Sequence, residues 1–225
     1  MSSTVNLDQL WRNMQAQACS CHDPLIQDVF ATNIGDHHSF SSGLASLLGT
    51  KLADRSISAT AITRLVTSIL LEVPGIAESA AEDILAIHDR DPACPDLVTP
   101  FLFFKGWQAL QVHRIAHHLW QKNRRHLAYH FQSRVNELFA IDIHPAARLG
   151  RRMSIDHGTG IVIGETCIIE DEVALFQDVT PGGTGKLTGN RHPIVRRGAK
   201  IGSGDKERGR RSIGENDRTG AASAG

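Results

Sequence analysis

The chain has 225 residues, 41% hydrophobic and 21% charged, and its 24 Lys+Arg balance 24 Asp+Glu. This is an ordinary globular composition, with enough material for one large domain or two smaller ones. Zero formal net charge and 5% aromatic residues leave no electrostatic footprint or stacking platform for nucleic acid or an anionic membrane.

The N-terminal stretch MSSTVNLDQLW has neither a basic n-region nor an apolar h-region, so no signal peptide is expected. Residues 1–140 read as an all-α helical domain. Ile62, Leu65, Val66, Ile69 and Leu70 recur at helical spacing behind a candidate N-cap, Ser58. VPGIAES and DRDPACPDLVTP supply helix breaks. The run FLFF at Phe101–Phe104 is far too short to span a bilayer. A second stripe, Val112, Ile115, Ala116, Leu119 and Trp120, ends near the basic KNRR expected at a helix C-terminus. His113 and His117 stand one helical turn apart, and CSCH spans Cys19–His22. Neither has Cys or acidic partners at metal-site spacing, so solvated or capping roles are expected. Four cysteines make no disulfide framework, and a reducing cytoplasm is the expected compartment.

At Ile141 the period changes. Ile143, Leu149, Ile155, Ile161, Cys167, Val173 and Val179 stand six apart, which is neither a helical period nor one strand's alternation. A hexad repeat of this kind predicts a parallel β-helix in which each hexad forms one side of a turn and stacked turns bury an apolar column. The register resumes at Val195 and Ile201, so GKLTGNRHPI (185–194) is predicted as a ten-residue loop leaving a corner. Beyond Ile201 the inward positions become Glu207, Ile213, Thr219 and Gly225, with Arg208, Arg210 and Arg211 crowded alongside. An unpaired buried Glu is costly, so residues 204–225 are expected to be a degraded repeat that frays after Gly204. GGTGK is not a phosphate loop: no glycine precedes Gly185 by five residues, and Leu187 replaces the metal-binding hydroxyl.

DIHPAARLG, IDHGTGIVIGET, VTPGGTGK and RHP follow one another in the order and spacing of bacterial and plant serine O-acetyltransferases, and RDPAC (90–94) is similar to that family's serine-site segment. The resemblance runs from residue 7 to 202. It implies an α+β chain: an N-terminal helical domain, then a left-handed parallel β-helix over 141–225, assembled as a homotrimer or dimer of trimers with sites between chains. It implies acetyl transfer from acetyl-CoA, a co-substrate, to the hydroxyl of L-serine, the first step of cysteine synthesis, with no metal. It implies His157 as general base, oriented by Asp142, with His192 and Glu165 also catalytic. Asp91, Asp156, Arg191 and His192 would hold serine, carboxylates toward the ammonium and the guanidinium toward the carboxylate. Gly183, Thr184 and Ser203 would meet the acyl donor, and Arg218 falls near that site. O-Acetylserine sulfhydrylase is a possible partner, although the family's docking tail is absent here, and Pro181 stands where the family usually has leucine. Two other readings stay open. One is a different hexapeptide-repeat enzyme, either a sugar acyltransferase or a trimeric metalloenzyme using His144, His157 and His192. The other is a catalytically impaired assembly or regulatory homologue.

Overall fold

The computed structural model describes residues 5–183 and 188–220. The chain forms two compact units, Met1–Phe103 and Phe104–Gly225.

The first unit is helical: α1 (Leu7–Cys19), α2 (Gln27–Phe30) continued by a π-helical turn (Ala31–Gly35), α3 (Phe40–Leu52), α4 (Ala59–Glu72), α5 (Gly75–Arg90) and α6 (Val98–Phe103). Side chains close three of the helix starts. Asn6 accepts from the Gln9 N–H, Ser58 from the Ala61 N–H, and Ser39 shares a reciprocal capping box with Ser42. Trp11 packs edge-on to Phe40 and Phe101 at 6.0 and 5.8 Å. It also lies so close to α3 that a Cβ on Gly43 would fall 2.4 Å from its indole. Among the described residues no single helix is long and apolar enough to cross a membrane.

The second unit opens with α7 (Lys105–Gln121) and α8 (Arg125–Phe139), which form a hairpin. The helical pattern thus extends to residue 140, while the compact-unit boundary falls at 103/104. Both helices pack on the strands that follow: β1 (Ile141–Ile143), β2 (Arg148–Leu149), β3 (Ser154–Ile155), β4 (Ile161–Ile163), β5 (Ile168–Ile169), β6 (Ala174–Leu175), β7 (Ile194–Val195), β8 (Lys200–Ile201) and β9 (Ser212–Ile213). At Gly106, α7 meets β3 with no room to spare, since an added Cβ would lie 2.1 Å from the Ile155 carbonyl oxygen. Arg114 donates to the Gly150 carbonyl at 2.9 Å, and His117 bonds the Pro145 carbonyl at 2.7 Å.

The strands pair in parallel as three sheets, β1-β4, β2-β5-β7-β9 and β3-β6-β8, the three faces of a coil. Each short strand turns apolar residues inward, stacking Leu149, Ile169, Val195 and Ile213 in one column and Ile155, Leu175 and Ile201 in another. The hexad reading needs two corrections. Ile141 pairs with Ile161, so the first turn takes 20 residues rather than 18, and the series is not in unbroken register. Both Ile141 and Ile143 point inward, so the two extra residues, at the Asp156–Gly160 corner, leave the apolar series intact to the eye. The later insertion adds eight residues, not ten, because Ile168 pairs with Ile194 after 26 while Ile194 pairs with Ser212 after 18.

Among the described residues, which end at 220, the coil also continues past Gly204. Gly182 donates to the Glu207 carbonyl, Ile194 to the Arg211 carbonyl and Lys200 to the Asp217 carbonyl, and Ile213 is buried over Val195. Glu207 sits half-buried, so the burial cost that suggested fraying is not incurred. Thr219 supplies its hydroxyl to the Gly202 N–H at 3.0 Å.

Candidate active site

Two corners of the coil, at opposite ends of β4, carry the candidate residues. The first is Asp156–Gly160. Its two glycines are obligatory in different ways. Gly158 has φ +76° and a Cβ there would strike Ile141 at 2.7 Å; Gly160 has φ +81° and its N–H bonds the Ala140 carbonyl. Lys105 pins the corner through the Thr159 hydroxyl at 2.5 Å. His157, at φ 56°, is thereby held outward with its side chain 74% exposed, and its Nε2 lies 3.9 Å from the Asp156 carboxylate. The left-handed backbone is a habit of this coil, since Arg152, Glu172, Asp178 and Asn216 share it. Exposure, rather than strain, distinguishes His157.

The second corner gathers His144, Glu165, Thr166, Arg191 and His192. The inserted loop returns across it, and Arg191 pairs with Glu165 at 2.9 Å. His192 is buried, its ring lying over Gly164, where a Cβ would fall 2.0 Å from Nε2. Gly183 faces the same ring, with a Cβ position 3.1 Å from Nε2. Burial, then the Arg191 guanidinium, push the His192 imidazole below the usual histidine range. His144 is likewise lowered, mainly by burial, against the opposing pull of Glu165 and Asp142. Its ring is wedged edge-on to Trp120 and Tyr129.

The expected residues therefore fall into groups. Glu165, Arg191, His192 and Gly183 converge on one corner, and Asp156 and His157 share the other. Asp142, outward on β1, accepts from Gln132 at 2.6 Å and makes no hydrogen bond to His157 within the chain. Asp91 belongs to the helical unit, where its carboxylate accepts from the Ala93 N–H at 2.8 Å. Ser203 is half-buried in the turn after β8, Arg218 is exposed, and Thr184 lies outside the described residues. Three residues of the second corner escaped sequence reasoning as parts of an acyl-transfer site: His144, Thr166 and Arg210. Arg210, expected only to crowd like charge, instead donates to the His192 and Thr166 carbonyls at 3.2 and 3.4 Å. No group of three metal-ligating side chains occurs among the described residues.

The family model "Serine acetyltransferase, N-terminal" matches residues 10–112. The serine acetyltransferase of Salmonella typhimurium is 43% identical over 219 residues, 96% of this chain and 80% of the relative, and that of Escherichia coli K12 is 41% identical over 98% and 82%. The chain belongs to the serine acetyltransferases. Solved members of that family share its fold: the Vibrio cholerae enzyme superposes with a TM-score of 0.94 at 39% identity, covering 96% of this chain and 84% of that one. Soybean serine acetyltransferase complexed with serine gives 0.92 at 37% identity, covering 97% and 91%, and a serine acetyltransferase complex with CoA gives 0.92 at 37%, covering 96% and 91%. The coil is accordingly a left-handed parallel β-helix behind an N-terminal helical domain. Serine acetyltransferases are acyltransferases that take acetyl-CoA as co-substrate, and the chain's activity is serine O-acetylation.

Proposed function

We propose that catalysis uses both corners at once, His157 from one copy meeting Asp142, Glu165, Arg191 and His192 of its neighbour. The observation that carries this reading is the separation of the two histidine corners by the β4 face, which keeps them apart within one chain. An exposed imidazole is accessible to solvent and to a second subunit, and histidine is the side chain best suited to proton transfer near neutrality. In this reading His157 removes the proton from the serine hydroxyl as its oxygen attacks the thioester carbonyl carbon. The carbonyl π pair moves to oxygen, giving a tetrahedral oxyanion. The oxyanion collapses, the C–S bond breaks, and the imidazolium returns its proton to the departing thiolate. Asp142 of the neighbouring copy stabilises the imidazolium.

Serine must be held as a zwitterion. Arg191 is committed to Glu165 through one nitrogen, and its remaining donors suit the serine carboxylate. Asp156 and Asp91 suit the ammonium. In this reading Gly183 and Ser203 line the approach of the acyl donor, and the assembly is a homotrimer or dimer of trimers in the cytoplasm.

The test is a thiol-release assay with acetyl-CoA, with and without L-serine. Serine-dependent CoA release is expected, and its absence from folded oligomer would refute the catalytic reading. Subunit mixing tests the arrangement. His157→Ala and His192→Ala chains, each impaired alone, regain activity when co-assembled if the histidines of one site come from different copies. No regain in mixed trimers would place both in a single chain.

A further inference from the structure

The polar network beneath His192 has a centre that the reaction scheme does not use. The Thr166 hydroxyl oxygen accepts from the Arg191 and His192 N–H groups at 3.1 and 3.2 Å and lies 2.9 Å from His192 Nδ1. The Thr166 N–H also reaches Nδ1, at 3.2 Å. A hydroxyl offers one donor and two acceptor sites, and here all three are engaged. The main-chain N–H can only donate, so Nδ1 must be the bare, accepting nitrogen. With its two acceptor sites filled by N–H groups, the Thr166 O–H also points at Nδ1. The ring proton is therefore on Nε2, the atom that faces Gly164 and Gly183.

We propose that Thr166 is a positioning residue that holds His192 as its neutral Nε2–H tautomer, making it a hydrogen-bond donor to the reacting oxygens rather than a second base. The proposal rests on His192 lining the serine site. Protonating His192 would place a proton on Nδ1 against two donors. Among the described residues the groups around the ring point the same way on balance: Arg191 and His144 disfavour a positive charge on it, against Glu165, which favours one. Arg210, on the His192 carbonyl, adds a cation to the same corner. Loss of the threonine hydroxyl frees Nδ1 from one donor and leaves two N–H groups of the inserted loop without their acceptor, so both ring chemistry and ring placement relax.

The experiment uses the full-length oligomer labelled with 15N-histidine, with His192 resonances assigned by their loss in His192→Ala. In the unsubstituted protein at mildly alkaline pH, His192 is expected to carry its proton on Nε2 and a bare Nδ1. Thr166→Val should give mixed tautomers, lower kcat/KM for serine by about tenfold to a hundredfold, and move the acid limb of that profile to higher pH. Thr166→Ser, which restores the hydroxyl, should return all three readouts to within about twofold. A proton on Nδ1 in the unsubstituted protein overturns the proposal, as does a folded valine variant with unchanged tautomer and pH profile. The tautomer and serine arms stand even if the valine variant fails to assemble. His192→Ala with full activity would instead refute the siting of His192, a separate failure.

Discussion

The two histidine corners of this coil are built on opposite plans. At Asp156–Gly160 the backbone is fixed by two glycines and Lys105, yet the His157 ring is left 74% exposed. At the other corner the His192 ring is buried, and Thr166 saturates one of its nitrogens. A ring that must take up and release a proton needs water or a substrate on both outcomes. A ring that only donates a hydrogen bond gains from being held in one protonation state. The contrast argues that the histidines of one coil have divided these tasks.

The largest effect that can break this comparison is expected at the exposed corner. His157→Ala should lower kcat by roughly 10²–10⁴ while leaving the fold of the single chain intact, because the ring is exposed within its own chain. Unchanged kcat would remove it as the base. At the buried corner, Gly164→Ala places a methyl group where the His192 ring lies, and displacing that ring should cost about a hundredfold in kcat/KM. Here stability should fall as well, which a thermal melt will detect. A normal kcat/KM would show that ring placement is not critical.

Beneath the same corner His113, on α7, is buried with its Nδ1 lacking a hydrogen-bond partner. Burial first, then His117 and Arg114, hold it well below the ordinary histidine value of 6.5. The unfolded chain binds a proton that the folded chain resists. The stability His113 contributes is therefore fully present above 6.5 and declines as pH falls below it. Urea midpoints measured from pH 8 to pH 5 should fall, and His113→Leu should flatten the slope; an identical slope in the variant would exonerate His113. The smallest effect is reserved for Arg210→Ala, which removes one guanidinium nitrogen shared between two carbonyls at a partly exposed position. About 1 kcal/mol or less of stability is expected, with activity changed by only a few-fold at most.

How much of this was legible in the sequence varies with the physics of each part. The coil was legible because stacking turns forces apolar residues to recur at inward positions, and the spacing survives in one dimension. The exact register was not, because Ile141 and Ile143 are both inward and hide a two-residue shift from any apolar tally. Fraying after Gly204 was expected by treating Glu207 as buried, but half-exposure at the edge of the coil and main-chain pairing relieve that cost. His157, Arg191 and His192 stood out as ionisable residues within recognisable motifs. Thr166 did not, since its role depends on a loop that returns 26 residues later to bring Nδ1 onto its hydroxyl. No periodicity or composition marks such an encounter.

The unequal turns of the coil, 20, 26 and 18 residues long, share the same three faces and the same inward columns. Additional residues are accommodated at corners without disturbing the neighbouring strands. Lengthening a corner raises loop-closure entropy only logarithmically, by roughly 0.6 kcal/mol for each doubling. A corner of this β-helix is therefore a permissive place for new sequence: natural variation can rewrite its chemistry there, and a protein engineer can graft a binding segment, while the scaffold is inherited unchanged.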